Sequence, residues 1–428
     1  MMKTIAIKAK IDLSALITNV LILIPFFIVF GSEILQFFEP SISSYVKILG
    51  VFYMLFYAIM KLKYSKTLLL ALLLFAPFFI YGLVHSFSFK AAVLEGLRYL
   101  FPIAVLLYGF SVRKHFKLLL HFFIIFALVN DIVQVYNYVQ WLRGASQWFY
   151  LYSDYFGYHI YNQSSGIIRA TGIVGFFGLF GFLNLIAFFI TRRYYEGKWK
   201  KGLLAIFAIS VFLSLSYKTM GTFIILLFIE NRNKLKVFAA VGIIFVLAIV
   251  TAPKFMADIF KSLTYRVEEY VTEGNSARGE SYRVMIDEIK RGNLFGRGIG
   301  AFGGPESVTY ESPLYYETGF NWYTTTDLTT TDTYFPHLFV EVGLIGALAY
   351  LLILFAPLLF LRWKKTAYQF MFVLYFALFF DSLFSYSLNN IAFLVISLLF
   401  VYPVHYYTMH QEEINPLEQD KHPKRPLP

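Results

Sequence analysis

Residues 331–346 read TDTYFPHLFVEVGLIG, and the apolar run they open continues to residue 360. A polar, threonine-rich segment here re-enters a hydrophobic stretch long enough to cross the ~30 Å hydrocarbon core of a bilayer. Asp332, His337 and Glu341 therefore fall at a boundary between membrane and water on an otherwise oily chain. Ionisable groups are expensive there, so a functional site is the default reading.

The rest of the chain supports the membrane setting. Of its 428 residues 58% are hydrophobic, 20% aromatic and only 15% charged, against roughly 25% charged in soluble proteins. The apolar runs predict an all-α polytopic membrane protein with about twelve transmembrane helices: 13–31, 45–60, 67–84, 98–112, 117–138, 172–191, 202–216, 219–230, 236–252, 335–360, 367–386 and 389–408. The run 219–230 is the weakest and reads alternatively as half of a hairpin. Residues 1–252 then carry spans one to nine with a short external loop at 139–171, and 253–334 form a large, partly helical extracytoplasmic loop. Residues 335–408 carry spans ten to twelve, and 409–428 make a polar, proline-bearing cytoplasmic tail whose composition predicts disorder.

A net charge of +11 invites a nucleic-acid reading, which its distribution rejects. Basic residues gather in alternate gaps: Lys3 to Lys10, Lys61 to Lys66, Arg113 to Lys117, Arg192 to Lys201, Arg232 to Lys236, Arg362 to Lys365 and the tail. The intervening short gaps hold only Lys90, Arg98, Arg143, Arg169 and Lys218, and the gap 32–44 holds none, carrying Glu33 and Glu39 instead. This is the positive-inside pattern, so both termini are expected in the cytoplasm and the span count is expected to be even. No small-residue cleavage site follows the first span, which reads as an uncleaved helix. The absence of cysteine excludes disulfides, thiolate metal sites and thiol nucleophiles, and the eight histidines show no HxxxH spacing. No cofactor is expected.

Two external segments are long. The first, 139–171, is rich in aromatics, among them Trp141, Trp148, Tyr152 and Tyr158, as an interfacial belt or a platform for sugar rings would be. In the second, 254–273 steps Phe255, Ile259, Leu263 and Val267 along one face, and 277–291 sets Tyr282, Met285, Ile286 and Ile289 on one side. Both spacings predict amphipathic helices. GNLFGRGIGAFGG (292–304), with six glycines, is either a tight turn or a cradle for phosphate oxygens. The stretch 305–334 has no clear period and reads as a loop over the membrane surface.

SARGESYRVMIDEIKRGNLFGRGIGAF (276–302) resembles the segment shared by O-antigen ligases and Wzy-type polysaccharide polymerases: an arginine (Arg278), an aromatic four residues on (Tyr282), a helix, then a Gly-x-Gly turn and an aromatic (Gly296 to Phe302). Two further elements match that pattern. Glu341, Gly343, Leu344 and Gly346 form a Glu-x-Gly-Leu-x-Gly, and Arg169 to Gly172 an Arg-x-x-Gly opening a helix after the shorter loop. The order and spacing cover about 140–360. In the ligases a histidine commonly lies nine residues before the glutamate; here that position is Asp332, which looks more like the polymerases.

The resemblance implies a GT-C-like helical fold and metal-independent glycosyl transfer on the outer face of the bacterial cytoplasmic (inner) membrane. The donor would be an oligosaccharide on undecaprenyl diphosphate and the acceptor a second lipid-linked glycan, with lipid A-core as the alternative acceptor if the chain is a ligase. A flippase and a chain-length regulator would be its partners, and no nucleic acid would be. A leaving diphosphate needs guanidinium or ammonium groups. The candidates are Arg169, Arg278, Lys218 in SYKTMG (216–221), and Arg283. Each has a plainer reading: Arg169 as a snorkelling helix-end residue, Arg278 and Arg283 as surface ion-pair partners. For the acceptor hydroxyl, Asp332 is the first candidate base, with a helix cap as its alternative. His337, one turn before Glu341, is the second, and Glu341 reads as a rigid partner of an arginine rather than the base. Asn130, Asp131 and Asp381 lie within spans, and the two aspartates suit interhelical hydrogen bonding. They also favour a rival reading, a transporter or flippase of lipid-linked sugars, which the lack of an internal repeat opposes.

Overall fold

The computed structural model describes residues 13–36, 38–61, 65–144, 161–162, 167–231, 276–325 and 330–410, with five isolated positions between 242 and 264. Among the described residues the chain is helical except for loops and one two-residue antiparallel ladder, Tyr161–Asn162 against Ile167–Ile168. Eight helices among the described residues are long and apolar enough to cross a membrane. They are α1 (Leu13–Leu35), α2 (Pro40–Met60), α3 (Lys66–Val84), α4 (Phe89–Ser111), α5 (Phe116–Leu142), α10 (Tyr334–Phe360), α11 (Lys365–Phe384) and α12 (Ile391–Met409). The multi-pass membrane character expected from composition is therefore present.

The four other expected spans fare differently. The ninth, 236–252, lies outside the described residues, as do the helix expected at 254–273, the tail 411–428 and most of 139–171. The sixth starts late, as α6 (Phe177–Tyr194), because 169–176 is a non-helical strap. The seventh and eighth are α7 (Lys200–Leu213) and α8 (Tyr217–Glu230), fourteen residues each. At 1.5 Å per residue each reaches only about 21 Å, short of the ~30 Å slab. Between them Ser214–Ser216 turns the chain, with Leu215 at φ 47°. The hairpin alternative for 219–230 is the one the chain takes.

Helix α4 begins nine residues ahead of its expected start, capped by the Ser88 hydroxyl, which accepts from the Ala91 amide at 3.4 Å. Lys90, Glu95 and Arg98 lower its apolarity and hide its first turns. Helix α3 packs along α10, α6 along α7, α8 along α11, and α4 against α2 and α12. One continuous apolar core runs through the bundle.

A second, smaller core joins α9 (Ala277–Lys290) to the glycine-rich segment and the first half of α10 through Val284, Phe302, Leu314, Tyr315, Phe320 and Val340. The stretch after 305 is thus folded where a surface loop was expected. It forms three short helices, Pro305–Thr309, Leu314–Thr318 and Trp322–Thr325. Helices of one turn are too short to display a 3.6-residue period, which is why the sequence conceals them.

Candidate active site

The glycine-rich segment does not present its amides to open space; it is built into a break in α10. Gly343, at φ 72° and ψ 177°, interrupts that helix. The carbonyls freed at Val340 and Glu341 accept from the Arg297 and Gly298 amides at 2.9 and 3.1 Å. The amides freed at Leu344 and Ile345 donate to the Asn293 and Leu294 carbonyls at 3.3 and 3.1 Å. Non-helical backbone in apolar surroundings survives only when satisfied in this way. The contact is so close that a Cβ on Gly296 would overlap the Glu341 carbonyl. Of the two sequence readings, the turn is the one observed.

Glu341 and His337 are fully enclosed and serve the same junction. The Glu341 carboxylate accepts from the Tyr99 hydroxyl at 3.0 Å and the Phe302 amide at 3.3 Å. His337 Nδ1 lies 2.8 Å from the Phe302 carbonyl and 3.5 Å from Glu341 Oε1. Its Nε2 faces Glu95 at 3.5 Å. Glu95, also fully buried, accepts from Tyr386 and Asn389 at 3.1 and 3.0 Å and pairs with Arg98 at 3.5 Å. Sequence reasoning missed Glu95, Tyr99 and Tyr386. A carboxylate and a guanidinium three residues apart in an apolar helix were the available signal for the first. Two expectations change here: His337 is fully buried against Glu95 and the Phe302 carbonyl, and Glu341 positions backbone instead of pairing with an arginine.

Arg297 belongs to this junction as well. It donates to the buried Glu288 through Nε at 2.6 Å and Nη2 at 3.0 Å, and Arg291 and Asn293 add further bonds. Burial alone would push the Glu288 carboxyl up; its bonds to Arg297, the charge of Arg291 and the Asn293 amide outweigh that and hold it below the usual carboxylate range. A depressed folded pKa gives stability that is present above the unfolded value of about 4.3 and lost as pH falls through the folded one. Between about pH 5 and about pH 3 the thermal midpoint of the detergent-solubilised protein should therefore fall more steeply for wild type than for Glu288→Gln. Equal slopes in the two proteins would refute a role for Glu288 in that loss.

The exposed chemistry lies at the same end of the bundle. Arg278 Nη2 donates to Asp332 Oδ2 at 2.8 Å across 54 residues of sequence, and the two side chains are 31% and 48% exposed. The neighbouring Ser281 and Thr333 hydroxyls bond at 2.7 Å, which fixes α9 to the start of α10. One turn along α9, Tyr282 donates to the Leu383 carbonyl of α11 at 2.8 Å. Two residues before Leu383, Asp381 pairs with Lys218 at 2.8 Å. Five residues before Lys218, at the end of α7, the Leu213 carbonyl accepts from the Ala170 amide at 2.9 Å, placing the Arg169 strap against the α7–α8 turn. Arg169 itself is buried, its guanidinium 4.3 Å from the centre of the Phe177 ring.

The strap is held from α5. Gln134 accepts from the Thr171 and Gly172 amides, both at 2.9 Å, and Asn130 from those of Ile173 and Val174 at 3.0 and 3.3 Å. Asn130, which lies within α5, thus satisfies strap backbone. Gly172 does not open a helix as its motif suggested: it sits at φ 56°, five residues ahead of α6.

Four of the seven expected residues, Arg169, Lys218, Arg278 and Asp332, thus lie along one chain of contacts at one end of the bundle. Arg283 points elsewhere. Five residues on from Arg278, it is half exposed and engaged with Glu280 at 2.8 Å and Asp287 at 3.5 Å. Among the described residues no group of three His, Asp or Glu side chains gathers in a metal-holding arrangement. Neither the protein-family models nor the curated proteins yield a match to this chain.

The depth of the site follows from helix geometry. At the far end of α8 and α11, Arg193 donates to Glu230 at 2.6 Å and to Gln369 at 3.2 Å. From there to the Lys218–Asp381 pair each helix advances twelve residues, about 18 Å. Tyr282 meets α11 only two residues beyond that pair, about 3 Å further along. From the Arg193 end to the level of Tyr282 the rise is thus about 21 Å, less than the ~30 Å thickness of a hydrocarbon core.

Proposed function

We propose that this chain is a membrane glycosyltransferase of the polysaccharide-polymerase type. It joins undecaprenyl-diphosphate-linked oligosaccharide repeat units at the outer face of the cytoplasmic membrane and releases undecaprenyl diphosphate. The observation that carries the reading is the meeting of Arg278 with Asp332 at 2.8 Å, a diphosphate-binding group beside a base, supplied by two segments that the motif resemblance had singled out separately. The rise of only about 18 Å from the Arg193 end to the Lys218–Asp381 pair supports it. A polyprenyl diphosphate keeps its tail in lipid and its charge near the surface, so a site floored below the membrane boundary meets both parts at once.

In the proposed step Asp332 accepts the proton of the acceptor hydroxyl as that oxygen bonds to the anomeric carbon. The bond from that carbon to the phosphate oxygen breaks, and undecaprenyl diphosphate leaves with the electron pair and the charge. Arg278 stabilises the charge that develops there, and the Lys218–Asp381 pair and the Arg169 strap lie further along the same chain of contacts. A single displacement inverts the anomeric centre. His337, Glu341 and Glu95 hold the glycine-rich junction and with it the start of α10, where Asp332 sits.

The test is an assay with purified protein and a lipid-linked repeat unit. A ladder of lengthening lipid-linked products is the expected result. Transfer only to added lipid A-core would replace the polymerase reading by the ligase, and movement of intact lipid-linked sugar across vesicles without new glycosidic bonds would replace both by the transporter.

A further inference from the structure

Two of the cation–carboxylate pairs at this end of the bundle, Lys218–Asp381 and Arg278–Asp332, are built differently. Asp381 is almost fully buried and accepts from the Ser385 and Ser387 hydroxyls as well as from Lys218. Removing Lys218 from it would strand a buried charge, which makes that pair costly to open. Asp332 is nearly half exposed and meets Arg278 through one oxygen. Water already competes for such a pair, so it is worth little in itself.

The backbone around Asp332 is fixed without the ion pair. Asp332 adopts φ 57°, a left-handed conformation that aspartate tolerates. Its amide donates to the Thr330 hydroxyl at 3.3 Å, and Thr333 beside it is tied to Ser281. Losing Arg278 would free the carboxylate and leave its position unchanged. A phosphate can engage a guanidinium through two parallel bonds, where Asp332 now offers one.

Resting on the glycosyltransferase reading above, we propose that the Arg278–Asp332 pair is exchanged on donor binding. The donor diphosphate takes Arg278, and Asp332, whose lone pair was engaged by the guanidinium, is thereby released to act as base. The acceptor is activated only when a donor is in place. The Lys218–Asp381 pair stays closed throughout and supplies a fixed wall.

The exchange predicts that removing the competing carboxylate strengthens diphosphate binding while removing turnover. Inorganic pyrophosphate is titrated into the full-length protein in lipid nanodiscs and binding is read by calorimetry. Asp332→Asn should bind about fivefold more tightly than wild type, the advantage of deleting one weak competing ion pair. Asp332→Glu, which restores the carboxylate, should stay within about twofold of wild type. Asp381→Asn should show no gain, and the gain of Asp332→Asn should vanish in an Arg278→Gln background. Unchanged or weaker binding by Asp332→Asn, or a gain that survives Arg278→Gln, overturns the exchange while leaving the glycosyltransferase reading standing. No pyrophosphate binding by wild type, together with no glycan transfer, removes both.

Discussion

Replacing Arg278 with alanine should abolish glycan transfer while leaving a folded protein. The pair it forms with Asp332 is 31% and 48% exposed, so its loss costs the fold at most about 1 kcal/mol. Helix α9 keeps its Ser276 cap, which accepts from the Gly279 amide at 3.1 Å, and its anchors through Ser281 and Tyr282. The rate is another matter. Removing one preorganised donor from a developing anion typically costs about 10²–10³ in turnover, and a diphosphate leaving group concentrates that charge. Arg278→Lys should recover only part of the activity, because a point charge replaces a fork that can grip two oxygens. The measurement is the lipid-linked product ladder, run beside size-exclusion profiles of the two variants. A normal ladder from Arg278→Ala would take the residue out of the mechanism, and with it the observation on which the functional assignment rests.

The second large effect is structural. Gly343→Ala should prevent accumulation of folded protein. Gly343 holds φ 72° and ψ 177°, a region open essentially to glycine alone. A Cβ there would overlap the Gly296 amide nitrogen and the Leu294 carbonyl. The strain alone is about 1–3 kcal/mol, and forcing the segments apart would unmake the four main-chain bonds across the break. Losses above about 4 kcal/mol are exceptional for one substitution, and this combination reaches that range. Gly202→Ala is the control, since nothing lies within 4 Å of a Cβ built there and alanine favours a helix. Thermal midpoints in detergent, or yield from membranes where no midpoint can be measured, compare the two. Equal behaviour would show that the break tolerates a side chain.

What the sequence made legible, and what it concealed, follows from the range of the interactions. Apolar length identifies α1, α2, α3, α5, α10, α11 and α12, since a bilayer asks only for a run of oily residues. The period of 277–291 identifies α9 almost to the residue. Apolar length misjudges α7 and α8, because a turn of two serines and a leucine at 214–216 barely interrupts hydropathy yet reverses the chain. The strap at 169–176 was hidden because its amides are satisfied by Asn130 and Gln134, about forty residues upstream. Of the site, Arg278 and Asp332 could be chosen from motif positions, but their contact could not. His337 and Glu341 were placed at a wet boundary by their distance from the polar loop; Glu95 and Tyr99 of α4, Phe302 of the glycine-rich segment and Tyr386 close them in.

The break in α10 also bears on how this chain could be re-engineered. Residues 82, 292–304 and 341–346 are distant in sequence but share one set of main-chain bonds, the Gly82 carbonyl accepting from the Ile299 amide at 2.9 Å. A graft that imports a foreign outer domain without the matching helix segment would strand amides and carbonyls in oil. Chimeras between chains of this architecture should therefore be cut so that these three pieces travel as a single cassette.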